Sequence, residues 1–297
     1  MGRGTSASSR GAEEGSNLRS TDIEFQPGAF RRLYRAIHEY RGYAFCADVL
    51  ERWQVANAAV IDWLQSLATR SGDQIPPVLR DELWELYALS RVNETLLLWF
   101  QDGRADGADY LGPAISTEEY LGFMRCLGLV EAAQTGFSPF LHEIVEVIPA
   151  DDEDEPIVFV EMRWPALMLG NMMVSRAGVV VSGGRRHIRK EIAENSVLYW
   201  AFRRKHRRVA DLSVGWGSNS QWRTDFRRDY LVDDKMYFNV DAKPNSRHRP
   251  EEPDRDGLTP DERRELLLNR CFITVDKPSD DLWPYDDRYR MQATAVR

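Results

Sequence analysis

Cysteine is scarce in this chain: 297 residues hold three, at positions 46, 126 and 271. An odd number of thiols, 80 and 145 positions apart, makes neither a disulfide framework nor a Cys-x-x-Cys metal knuckle, and favours a reducing, cytoplasmic setting. Long apolar runs are missing as well. The longest strongly apolar stretch, Thr95-Leu-Leu-Leu-Trp-Phe100, is much shorter than the roughly 18 residues a bilayer-spanning helix needs, so no membrane partner is expected. Residues 1–17 are Gly, Ser and Arg with almost no large apolar side chain and lack the core of a secretory signal. We read residues 1–20 as a disordered tail, in which the myristoylation-like spacing of Gly2 and Ser6 is a chance match.

Signature motifs of common chemistries are also lacking. Gly215-Trp-Gly217 is followed by Ser220 where a dinucleotide fingerprint needs glycine, and there is no Gly-Lys-Ser/Thr of a phosphate loop. Asp211-Leu-Ser213-Val-Gly215 has aspartate where a nucleophile elbow needs its first glycine. His142-Glu143-Ile-Val-Glu146 lacks the second histidine of a zinc-protease helix, and its β-branched residues suit a strand. No cofactor and no metal site are assigned.

What is present is a folded chain. Apolar residues at 43% and charged residues at 29% are ordinary for globular domains. Phe30, Leu33, Tyr34 and Ile37 recur at helical spacing, with Arg31, Arg32 and Arg35 on the other side. A second helix is expected over 45–67, a third after Pro76-Pro77, and a fourth from Ser116, whose spacing to Glu119 is that of a capping box. Beyond residue 135 β-branched residues take over. Ile144–Ile148 and Ile157–Val160 read as two strands joined by a turn, Val179–Val181 as a third, and 188–208 as a helix. Residues 222–227 and 236–241 alternate as a hairpin around Asp233-Asp234, a helix starts at Thr259-Pro-Asp-Glu262, and 271–276 reads as a last strand. The expected fold is α+β, a helical unit (21–134) with a mostly antiparallel sheet of five or six strands in an α+β unit (135–297), the two able to share one core.

Charge is unevenly spread. The net charge is −8, yet residues 185–228 hold twelve Lys/Arg against four acids, a +8 island in a −16 background. Within it, Gln221, Trp222, Arg223, Trp216 and Asn219 combine forked donors with indoles that can stack on a planar ring, Arg203 and Arg204 belong to a point-charge cluster, and His187 sits among arginines. These eight residues are the candidate ligand-binding set, and the partner would be a polyanion, nucleic acid or nucleotide, or an acidic protein surface. Three other readings stand beside it. The arginines could be satisfied internally, with Arg227-Arg228 facing the acidic run 151–155. A metal-dependent phosphodiesterase or nuclease could use Glu143 or Glu146, Asp154, Glu161 and Arg163, with His187 as ligand or base. An acidic inhibitor or immunity-type protein could neutralise a basic partner.

Overall fold

The structure, a computed structural model, describes residues 27–103, 112–132, 136–210, 221–242, 257–277 and 287–293. It is an α+β fold, with seven α-helices among the described residues, five of them before residue 127, and two main sheets. No helix among the described residues is long and apolar enough to cross a membrane.

Helix α1 (Ala29–Glu39) buries Phe30, Leu33 and Ile37, the stripe its periodicity sets. Its first amides are capped from elsewhere in the chain, because Glu85 accepts the Gly28 and Phe30 N–H groups at 2.5 and 2.7 Å. Helix α4 (Arg80–Leu96) supplies that carboxylate. The expected second helix is interrupted: a π-helical turn (Cys46–Glu51) runs into α2 (Arg52–Ala56), and Asn57, at φ −128° and ψ 34°, separates α2 from α3 (Ala58–Leu67). Helix α5 (Thr117–Cys126) opens with the Ser116 capping box: Ser116 Oγ accepts the Glu119 N–H and Glu119 accepts the Ser116 N–H.

Six strands form one antiparallel sheet in the order β1 (Val130–Ala132), β4 (Ala166–Leu169), β5 (Met172–Ser175), β9 (Asp229–Val232), β10 (Lys235–Phe238) and β11 (Tyr289–Gln292). Its two faces follow from the two-residue period of a strand. Leu167, Leu169, Met172, Val174, Tyr230 and Val232 join the core of the helices, while Ala166, Met168, Met173, Met236 and Phe238 face the other way. That second face packs on a three-stranded sheet of β2 (His142–Pro149), β6 (Ala177–Gly183) and β3 (Val158–Trp164), through Ile144, Val147, Val179 and Val181. The Trp164 ring needs Gly178 beside it, because a Cβ there would lie 2.4 Å from the indole.

Several local expectations are corrected. β2 and β3 are not hairpin partners: β6 lies between them, parallel to β2 and antiparallel to β3, and its continuous run of valines is buried on both faces. The expected helix over 188–208 is a single turn, α6 (Lys190–Ala193). Val197 to Tyr199 are all buried, Leu198-Tyr199 form β7, which pairs in parallel with β8 (Val209–Ala210), and Trp200 adopts φ 60°, which ends any helix. The hairpin turns at Asp233-Asp234 as expected, but its first strand is β9 rather than 222–227. Helix α7 (Pro260–Asn269) has its Thr259 cap, whereas 271–276 is not a strand and the last described strand is β11.

Candidate anion-binding site

The stretch from Tyr199 to Arg208 passes between the helical layer and the sheets, and its arginines have different fates. Arg204 turns inward. Its guanidinium makes two hydrogen bonds to Glu143 at 2.7 and 2.8 Å, lies 3.4 Å from Glu94 and sits over the Trp164 ring. Burial would raise the Glu143 pKa, but the charge and hydrogen bonds of Arg204 hold it down to about 2. Burial would likewise lower the Arg204 pKa, and Glu143 and Glu94 outweigh it and raise it. Arg204 is thus consumed inside the fold. So are Arg227, bonded to Asp229 and the Leu267 carbonyl and lying 3.3 Å over Trp200, and Arg228, bonded to both carboxylate oxygens of Asp241. The acidic run 151–155 pairs with other residues than expected: Arg185 with Glu153, and Arg186 with Glu153 and Asp154.

Arg203 turns the opposite way, toward α1. Residues 31, 34, 35 and 38 form a stripe beside the buried stripe of that helix, because positions three and four apart are neighbours. Tyr34 is the hub. Its ring lies 5.1 Å from Trp222, 6.0 Å from Phe202 and 4.4 Å from His38. Cations cover these rings: Arg31 is 5.4 Å from Trp222, Arg203 is 5.6 Å from Phe202, and the buried Arg91 of α4 is 3.4 Å from the same Phe202 ring. Gln221 accepts from Arg91 at 3.4 Å. Nε of Arg31 and Nη1 of Arg203 are buried with no hydrogen-bond partner among the described residues, and no ion pair ties either guanidinium to a described carboxylate. The concentration of charge shows in its neighbours: burial, then Arg203, Arg41 and Arg91, bring the His38 pKa down to about 4, and burial with Arg35 lowers that of Arg31. Arrays of half-buried guanidinium groups on aromatic rings suit an anion attached to a planar group.

Of the eight residues singled out in the sequence, Arg203, Gln221 and Trp222 come together here. Arg223 is exposed and lies 5.6 Å over Trp84, outside the cluster. His187 is exposed in the turn after β6, its N–H donating to Gly184. Trp216 and Asn219 lie outside the described residues. Arg31, Tyr34, His38 and Arg91 were missed, although the Arg-Tyr-Arg-His spacing at 31, 34, 35 and 38 was there to be read as a second stripe.

The acids of the phosphodiesterase reading are engaged in ion pairs. Glu143 is buried against Arg204, Asp154 holds Arg186, and Arg163 bridges Glu161 and Glu146 at 2.8 and 3.4 Å. Among the described residues no group of three or more His, Cys, Asp and Glu side chains is placed to hold a metal ion. Compared with protein-family models, curated proteins and solved structures, the chain matches none.

Proposed function

We propose that this protein binds an anionic partner carrying exposed planar rings, of the single-stranded nucleic acid or nucleotide class, at the cluster of Arg31, Tyr34, Arg203 and Trp222. One observation supports the reading above others: two half-buried guanidinium groups lie on indole and phenyl faces with donors unused and no described carboxylate beside them. Holding such charges together costs free energy in the unliganded protein, and a phosphate would recover it. The rings supply the second contact, worth about 1–3 kcal/mol per stacked base.

Fluorescence anisotropy of a labelled single-stranded oligonucleotide tests this. Binding should weaken steeply as salt rises, and Arg31→Ala with Arg203→Ala should reduce affinity at least tenfold and flatten the salt dependence. Absence of salt-sensitive binding of the oligonucleotide and of nucleoside triphosphates, or binding indifferent to both substitutions, overturns the proposal.

A further inference from the structure

A second concave site lies on the far side of the same stretch, where β2, β3 and α6 meet the chain after α4. It is a cavity of about 330 Å³, at the lower end of the range for small-molecule sites and too small for a polymer. Its walls carry both signs of charge. Arg163 and Lys190 stand among Asp102, Glu146 and Glu194, with Trp164 and His206 behind them.

Each charged group is only partly used. Lys190 Nζ donates to the Val147 carbonyl at 2.9 Å and to Glu194 at 2.8 Å, leaving one of its three protons. Glu194 Oε1 takes that bond and the Val147 N–H, and among the described residues its second oxygen takes none. Arg163 is held firmly by Glu161 at 2.8 Å, but its contact with Glu146 is long, at 3.4 Å. Among the described residues His206 has no hydrogen-bond partner at either ring nitrogen, although both are buried. Burial, with Arg207 and Arg204 nearby and Glu143 opposing, brings its pKa down to about 4, so at neutral pH the ring offers one donor and one acceptor.

These walls select by exclusion. An anion would meet three carboxylates and a simple cation would meet Arg163 and Lys190. The described acids and histidines form no metal cage. The adjacent Glu146 and Arg163 make a surface dipole, and its complement is a molecule whose ammonium and carboxylate are themselves adjacent. From the juxtaposed Glu146–Arg163 and Lys190–Glu194 pairs and the unpartnered His206 imidazole, we infer that this cavity binds a small zwitterion of the free α-amino acid class. The ammonium lies against Glu146, the carboxylate against Arg163 and Lys190, and the side chain points toward His206. The site is separate from the Arg31–Arg203 cluster and does not depend on its function.

Thermal melts with the full-length protein test it, using the common L-amino acids singly at 10 mM beside propylamine and propionate as half-molecules. At least one amino acid should raise Tm saturably, with neither half-molecule doing so. Glu146→Gln and Arg163→Met, both at partly exposed positions, should each weaken the response at least tenfold, and Arg31→Ala should leave it unchanged. The bound amino acid should also shift the His206 ring resonances by NMR. No response to any amino acid, an equal response to a half-molecule, or a response that survives both cavity substitutions overturns the inference.

Discussion

Two sets of arginines in this protein look alike in the sequence and differ in what faces them. The inner set, Arg176, Arg204, Arg227 and Arg228, has a carboxylate within 3.5 Å of every member: Asp229 for two of them, Glu143 and Asp241 for the others. The outer pair, Arg31 and Arg203, has aromatic rings instead. The inner guanidiniums also bond backbone carbonyls, Arg176 to Leu268, Arg227 to Leu267 and Arg228 to Pro76. They tie α7 and the loop before α4 to the six-stranded sheet. A run of arginines therefore records two jobs at once, and the partner across the contact tells them apart.

The sharpest way to break this comparison is to remove an inner cation. Arg204→Met leaves Glu143 and Glu94 buried without their counter-charge, which should cost about 3–5 kcal/mol in urea unfolding, while Glu143→Leu added to it should recover much of the loss. A loss under about 1 kcal/mol would place Arg204 with the outer pair. Acid acts on the same contrast. His38, His142 and His206 are each brought down to about 4, mainly by burial, from an ordinary 6.5. Between those values the unfolded chain binds protons that the native protein refuses, so stability is full above pH 6.5 and falls as pH drops toward 4. Three such groups give a slope of up to about 4 kcal/mol per pH unit, with the part-exposed His38 contributing least. Glu143, held near 2, adds a further loss below its unfolded pKa of about 4.5. Urea midpoints at pH 7, 6 and 5 check this, and a flat profile contradicts the neutral-histidine assignment.

How far the sequence anticipates this molecule depends on how local each signal is. Ser116 with Glu119 and Thr259 with Glu262 are four-residue devices that carry their own hydrogen bonds, and both helices start where those residues say. The Asp233-Asp234 turn is local too, and holds. The place of β6 between β2 and β3 is not local, because strand order is set by which valine face finds a second sheet. Residues 188–208 have helix-forming composition, yet burial of Val197, Leu198 and Tyr199 on different neighbours overrides propensity. In the candidate site, Arg203, Gln221 and Trp222 were legible as unusual chemistry. Their partners on α1 and α4 stand more than 100 residues away, and no local pattern joins them.

Smaller effects sharpen the picture of what holds each region. Ser116→Ala and Thr259→Ala each remove a side-chain acceptor from a helix start and should cost about 1 kcal/mol in urea unfolding, with no change in ligand binding. That combination distinguishes scaffold from site.

The smallest expected change in stability belongs to the outer pair, and it is the most informative. Arg31→Ala and Arg203→Ala delete cations that no described carboxylate needs, so each should shift unfolding by less than about 0.5 kcal/mol, or stabilise slightly by relieving repulsion. His38 reports on one of them, Arg203. Burial is the main cause of its low pKa and Arg203 the leading charge, so removing Arg203 should raise it part of the way from about 4. An anion bound at the cluster should produce a rise in the wild-type protein as well, read from the imidazole resonances in an NMR titration. A His38 pKa that ignores both the substitution and the oligonucleotide would mean that Arg203 points away from His38 in solution, and the distinction between the two sets would then rest on burial alone.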